Sequence, residues 1–289
     1  TRWNCDWSSD VCSSDLERHL FEEITLADLA KASGFSPWHA HRLFARHTRH
    51  TPAEYIRRLR LSQSALKLRD EDCTVTDAAF DCGFKSVDGF QRAFLRTFGR
   101  NPKEYAARPV PLYLFTPYAV EIPKDRKEHI MQQAGTVTVR AVRRPARKLI
   151  LKRGKQADHY FAYCEEVGCD VWGLLRSIKS PFEPAGFWLP ESLILPGTSK
   201  YVQGVEVEAD YAGPVPEGFD VVDLPAATYL LFQGEPFAEE DYCEAIDAVW
   251  DFIEGYDPSA LGYAWDADSP RIQPEPIGAR GYMELVPVK

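Results

Sequence analysis

An internal repeat with a spacing of about 50 residues restricts the fold of the first third of this chain more than any other feature. Thr25, Asp28, Gly34 and Phe35 recur as Thr74, Asp77, Gly83 and Phe84, each 49 positions on. After one inserted residue, Arg42, Phe44, Arg46, Pro52, Glu54 and Tyr55 recur as Arg92, Phe94, Arg96, Pro102, Glu104 and Tyr105, each 50 positions on. Two copies of one supersecondary unit are expected.

Each copy reads as a helix, a tight turn and a second helix. In the first, Leu26, Leu29 and Ala30 set a helical period, and Gly34 suits a left-handed turn. Ser36 then offers an N-cap oxygen, and Pro37 stands at the first helical position, where its missing N–H costs nothing. Ala40, Leu43 and Phe44 face inward, while Trp38, His39, His41, Arg42 and Arg46 face outward. In the second copy Ser86 is the cap and Phe90, Ala93 and Phe94 face inward. Asp88, Gln91, Arg92 and Arg96 face outward or lie along the rim. The intervening AEYIRRLRLSQSALKLR is apolar at Ile56, Leu59, Ala65 and Leu66, as a helix joining two bodies would be.

A helix-turn-helix puts the start of its second helix into the major groove of DNA, where an Arg fork meets guanine and an amide meets adenine. The outward residues suit that task. Arg42, His39 and His41, with Trp38 beside them, are the candidate base readers of the first unit, and Gln91 and Arg92, beside Ser86, those of the second. Arg46 and Arg96 lie further along their helices and suit phosphates, whose contacts position without specifying. Asp88 would repel phosphate unless it accepts from a cytosine amine.

The net charge of -9 looks wrong for such a protein until it is divided along the chain. Residues 17 to 108 hold 16 Lys and Arg against 12 Asp and Glu, and five of the seven histidines. Residues 109 to 289 hold 17 against 28. A basic module precedes an acidic one, the asymmetry expected of a DNA-binding domain joined to a domain that does not bind DNA.

Seven scattered cysteines, at 5, 12, 73, 82, 164, 169 and 243, include no CxxC pair, so neither a metal site nor a cofactor is expected. No apolar run approaches the roughly 20 residues that span a bilayer, and no secretory signal opens the chain. A cytoplasmic protein without membrane contact is expected. Residues 1 to 16, TRWNCDWSSDVCSSDL, carry no period and resemble a translated sequencing-adapter leader, so they are set aside as non-native.

The second copy, DAAFDCGFKSVDGFQRAFLRTFGRNPKEY at 77 to 105, closely resembles the signature of the AraC/XylS family of bacterial transcription regulators, and the resemblance covers residues 17 to 108. It implies an all-α double helix-turn-helix domain that reaches double-stranded promoter or operator DNA in successive major-groove segments, with RNA polymerase as a further partner.

Residues 109 to 135 read as a linker with an ordered apolar start, PVPLYLF, and a charged IPKDRKEH run. Beyond it, strands are expected around Val137 to Val142 and Lys148 to Lys152, then a helix from about 158 to 178, then strands near 185 to 189 and 201 to 208. That order recurs. Pro145, Ala146 and Gly154 match Pro225, Ala226 and Gly234 at an offset of 80. Val171-Trp172 matches Val249-Trp250, and Val205-Glu206-Val207 matches Met283-Glu284-Leu285, both at 78. The second helix, about 239 to 256, carries Tyr242, Ile246, Val249, Ile253 and Tyr256 on one stripe. Residues 136 to 289 are therefore expected to form an α+β domain of two strand-helix-strand-strand repeats, a mostly antiparallel sheet with helices on one side.

A carboxylate in an apolar strand must be exposed, paired or functional. Glu284, with Tyr282 on its strand face and Trp172, Trp188 and Trp250 among the nearby aromatics, could hold an organic cation by charge and ring contact. Glu206, its apparent repeat mate, is the other candidate.

The stretches PEGFDVVDLPAATYLLFQGE and GYMELVPVK resemble the gyrase-inhibitor-like small-molecule-binding domain often fused to AraC-type DNA-binding domains. In that family a Glu on the last strands meets lipophilic, sometimes cationic, ligands, and Glu284 is the matching position. The resemblance implies a ligand-sensing regulator rather than an enzyme. The rival readings are a hydrolase of reactive lipophilic compounds using Glu284 and Tyr282, and a protein-interaction module. Nucleophilic catalysis by a Ser-His or Cys-His pair is disfavoured, since only His129 and His159 fall in this half.

Overall fold

The computed structural model describes residues 20–21, 25–33, 36–116, 136–238 and 241–289. The expected leader, Gly34 and Phe35 of the first turn, and residues 117–135 of the expected linker lie outside the described residues. The chain divides into two compact units, residues 1–118 and 119–289.

The described helices of the first unit are α1 (Leu26–Ser33), α2 (Pro37–Thr48), α3 (Pro52–Asp70), α4 (Val75–Asp81), α5 (Val87–Phe98) and α6 (Pro102–Ala107). The repeat is largely a repeat of helix caps. Thr25 and Asp28 exchange side-chain and backbone hydrogen bonds at the start of α1, and Thr74 and Asp77 do the same at α4. Each satisfies amide donors that a helix start would otherwise leave orphaned. Ser36 Oγ accepts from His39 N, and Ser86 Oγ from Gly89 N, so each second helix is capped in the same way. Gly99 closes α5 at φ +68°, and Arg49, 50 positions earlier, closes α2 in the same left-handed region at φ +57°.

Helix α3 serves two cores. Its Tyr55 and Leu59 join Leu20, Phe44 and Phe115, whereas its Leu61, Ala65 and Leu68 join Ala78, Ala79, Phe90, Phe94 and Tyr105. A helix shared this way carries apolar groups on more than one face, which explains why its sequence shows no single clean stripe. Residues 109–116, the apolar start of the expected linker, pack on this unit. Leu112 and Leu114 are buried with Phe90 and Phe94, and Phe115 N donates to Ser62 Oγ.

The second unit is an eight-stranded sheet with three described helices: β1 (Thr138–Arg144), β2 (Arg147–Arg153), α7 (Tyr160–Val167), α8 (Val171–Ser177), β3 (Ala185–Trp188), β4 (Tyr201–Glu208), β5 (Asp220–Leu224), β6 (Ala227–Gln233), α9 (Tyr242–Glu254), β7 (Arg271–Pro274) and β8 (Met283–Val288). Each half thus runs strand-strand-helix-strand-strand, one strand more than the expected scheme. The helix expected over 158 to 178 is two, because Gly168 at φ +100° turns the chain between α7 and α8.

The sheet order is β1-β6-β8-β7-β3-β4-β2-β5, and the named pairings are antiparallel. Exchanging β1–β4 with β5–β8 returns the same order reversed. Helices cover one face: α8 packs Val171 and Leu175 on Ile150, Val205 and Val207, and α9 packs Val249 and Ile253 on Leu230 and Phe232. The other face buries Leu149, Leu151, Phe187, Val202, Leu231, Ile272 and Leu285 in one cluster.

That second face covers itself by rolling. Arg147 Nη2 on β2 donates to Tyr229 Oη on β6 at 2.8 Å, although these strands are five steps apart in the sheet. In a flat sheet they would lie about 24 Å apart at the usual strand spacing. Arg147 Nε also donates to Glu206 Oε1, and its Nη1 to the carbonyls of Pro145 and Pro225 at 3.2 and 3.0 Å. This buried clasp joins the two wings.

Candidate nucleic-acid interface and central polar cluster

On α2 the packing leaves Trp38, His39, Arg42 and Arg46 exposed and His41 half-buried, with Ala40 and Phe44 turned into the core. Trp38 is 77% exposed, which is unusual for the largest apolar side chain. On α5, Phe90 and Phe94 are wholly buried, Ser86, Asp88, Arg92 and Arg96 exposed, and Gln91 half-buried. Among the described residues none of Arg42, Arg46, Arg92 and Arg96 is tied into an ion pair, so these guanidinium groups are free to meet phosphates or base edges.

The turn of the second helix-turn-helix is pinned from α3. Arg60 Nη1 donates to the Gly83 carbonyl at 2.8 Å, and its Nε donates to the Leu20 carbonyl at 2.7 Å. Gly83 sits at φ +74°, and a Cβ there would meet the Arg60 guanidinium at 2.9 Å. Arg60 had no place among the residues singled out from sequence, since its role depends on two backbone atoms distant in the chain.

In the second unit, four of the six residues expected around a ligand converge on the helix-covered face of the sheet. Glu284 is wholly buried. Its Oε2 accepts from Trp250 Nε1 at 2.6 Å and from Tyr282 Oη at 2.9 Å. Trp250 and Trp188 meet edge to face, with ring centroids 6.0 Å apart. Burial pushes the Tyr282 phenol up to about 12, so it stays a neutral donor near neutral pH.

A relay continues across the central strands. Gln273 Nε2 donates to Tyr282 Oη at 3.0 Å, and Tyr201 Oη donates to Gln273 Oε1 at 2.8 Å. Arg271 completes the cluster through an ion pair from its Nε to Glu284 Oε1. Sequence reading missed Arg271, Gln273, Tyr201 and Gln203. The available signal was the polar-apolar-polar run Arg271-Ile272-Gln273, which shares the Glu284 face once Ile272 is known to pair with Leu285.

Two expected residues lie elsewhere. Trp172 donates to the Glu275 carboxyl, whose pKa is raised by burial, and not to Glu284. Glu206 pairs in register with Leu149, on the rolled face, where it belongs to the Arg147 clasp and lies 3.8 Å from Arg144. The 78-residue match misaligns the strands. If Ile150 is matched to Leu230, 80 residues on, the registers Ile150↔Val205 and Leu230↔Val286 match Val205 to Val286, 81 on. Gln203, not Glu206, is then the spatial counterpart of Glu284. The discrepancy of three is odd, and an odd shift moves a side chain to the other face.

Two capped helix-turn-helix units on a shared helix, each showing an outer arginine-bearing face, define a helix-turn-helix protein of the DNA-binding class. Residues 29–108 match the profile of a family described as a helix-turn-helix domain. The regulatory protein SoxS of Salmonella typhimurium is 37% identical over 93 residues, which are 32% of this chain and 87% of SoxS. The right origin-binding protein of Escherichia coli is 38% identical over 94 residues, 32% of each chain. Among solved structures, the DNA-binding domain of the transcriptional factor AdpA in complex with a target DNA is 26% identical, with a TM-score of 0.33, covering 34% of this chain and 89% of that one. The chain belongs to the AraC/XylS family of DNA-binding transcription regulators. The profile match ends at residue 108, ahead of the sheet unit.

Proposed function

We propose that this regulator answers to a small lipophilic cation held by the helix-covered face of its second unit, and that this unit is of the gyrase-inhibitor-like kind. The observation that carries the reading is Glu284, a carboxylate without solvent exposure, set among Trp188, Trp250 and Tyr282. A buried carboxylate is costly unless a cation meets it, and aromatic rings favour a cation with delocalised charge. Binding changes DNA affinity only by as much as the ligand prefers one state of the protein over another.

In the first unit His39, His41 and Arg42 of α2, and Gln91 and Arg92 of α5, read base edges, with Trp38 and Ser86 alongside, while Arg46 and Arg96 hold phosphates. RNA polymerase is a further proposed partner, and the cytoplasm the proposed compartment. No described helix is long and apolar enough to cross a membrane. The cluster is read as a binding site rather than a catalytic one, because both Glu284 oxygens are already engaged, by Trp250 and Tyr282 on one side and Arg271 on the other. A hydrolytic base would need one oxygen open to water.

The test is a titration of the purified protein with labelled DNA from beside its own gene, with and without tetraphenylphosphonium. A saturable shift in DNA affinity supports the reading. DNA binding indifferent to saturating cation would overturn ligand control, and turnover of a reactive ester at the cluster would favour the hydrolase.

A further inference from the structure

The Glu284 cluster already contains a cation. The Arg271 guanidinium lies 5.3 Å from the Trp188 ring centroid and 5.9 Å from that of Trp250, while its Nε pairs with Glu284. These are the contacts an organic cation would make in the same place: two indole faces and one carboxylate. We propose that Arg271 is a tethered occupant of a single-cation seat, and that an apolar monocation binds by evicting it. The inference rests on the reading of the cluster as a ligand site and specifies what the ligand must be.

Three observations support eviction over addition. First, Glu284 has no exposed surface, so if Arg271 leaves, its charge must be met by another cation. A neutral or anionic ligand could not take the place of Arg271. Second, the Arg271 side chain is 34% exposed although its partner is wholly buried, so the guanidinium lies at the edge of the cluster. A long, flexible stem lets the charged head move to water while β7 keeps its pairing.

Third, the counterpart of Glu284 in the other half is Gln203, a wholly buried amide that hydrogen-bonds to the Cys164 thiol. The paired position is therefore neutral. The seat carries one negative charge where two-fold repetition of Glu would have placed two, which favours a monocation over a dication.

Displacement has a cost, because the ligand competes with a group present at high effective concentration. Removing the resident guanidinium should tighten binding. Arg271→Met, which keeps the stem and loses the charge, is expected to bind tetraphenylphosphonium at least tenfold more tightly than the parent, read by quenching of tryptophan fluorescence in the full-length protein. Arg271→Lys should stay within a few-fold of the parent, since the ammonium can refill the seat. Equal or weaker binding by Arg271→Met would overturn the inference and leave the ligand site standing.

A second measurement needs no variant. Phenylglyoxal labelling of Arg271 in the parent protein, followed by mass spectrometry, should quicken several-fold on saturation with tetraphenylphosphonium, because eviction exposes the guanidinium. Slower or unchanged labelling with the cation bound would mean that the ligand sits over Arg271, contrary to the inference. Absence of tetraphenylphosphonium binding in parent and variant alike would overturn both the inference and the ligand site on which it rests.

Discussion

Glu206 and Glu284 stand on opposite faces of one eight-stranded sheet, and each is buried against an arginine. Glu206 meets Arg147 in the clasp that joins the rolled wings, where Tyr229 and two backbone carbonyls complete the guanidinium's partners. Glu284 meets Arg271 under the aromatic rings of the helix-covered face. The first arginine is almost wholly buried and held by several acceptors, and the second is partly exposed. The two pairs look alike in composition and should behave differently.

Glu206→Gln leaves the Arg147 charge buried without its carboxylate, and removing one member of such a pair costs about 3–5 kcal/mol. Denaturant unfolding of the second unit should shift accordingly, with DNA affinity of the folded protein unchanged. A loss below about 1 kcal/mol would mean that Arg147 finds enough compensation in Tyr229 and the backbone carbonyls.

Glu284→Gln should leave DNA binding without ligand intact and lower affinity for tetraphenylphosphonium at least tenfold. Fluorescence titration and a DNA mobility shift, run on the same preparation, separate the two effects. Equal loss of both would point to misfolding of the variant.

On α5, Arg92→Ala should cost about 1–3 kcal/mol of operator affinity and relax base preference at one position. Arg96→Ala should weaken all sequences alike and reduce the salt dependence by about one counterion. Binding to a randomised operator library at two salt concentrations distinguishes the two roles, and interchange of the two outcomes would reverse the assignments.

Gly83→Ala forces an L side chain into φ +74° and sets a Cβ against the Arg60 guanidinium. The backbone strain alone costs about 1–2 kcal/mol. Thermal melting followed by circular dichroism should show the loss of stability, and the Arg60 bond to the Gly83 carbonyl should weaken with it.

Asp28 and Asp77 are held below the usual carboxylate range by hydrogen bonds from Thr25 and Thr74. A carboxyl depressed on folding adds stability above its unfolded value and loses it as pH falls through the folded value. Helix content of the first unit should therefore fall over the acid interval below the ordinary aspartate value of about 4. In the Thr25→Ala, Thr74→Ala double variant the melting temperature should drop less over that interval, because the caps are already lost.

The helix-turn-helix pair was legible from local spacing. Thr25 to Asp28 and Thr74 to Asp77 are three-residue relations, and a cap binds within the turn that it opens. Phe90 and Phe94 are four apart on one helical face, and their burial follows from that spacing. In the second unit, Glu284, Tyr282, Trp188 and Trp250 stand out as candidates because residue type alone marks a carboxylate among aromatics. Arg271 was passed over because a single arginine at the start of a short strand carries no such mark. The apolar start of the linker expected over 109 to 135 packs because Leu112, Leu114 and Phe115 find places in cores assembled from other segments, partners that the run PVPLYLF does not name.

By itself the sequence determined the elements: where helices begin, which of their faces are apolar, and that caps and helices recur along the first unit. Those choices rest on interactions among residues a few positions apart. Tertiary structure alone decided which face each strand presents, that the sheet rolls until Arg147 meets Tyr229, that Gln203 rather than Glu206 mirrors Glu284, and that Arg271 fills the seat beside it. Side chains alternate along a strand with a period of two, so an alignment wrong by an odd number of residues inverts the face, and only pairing between distant strands sets the register.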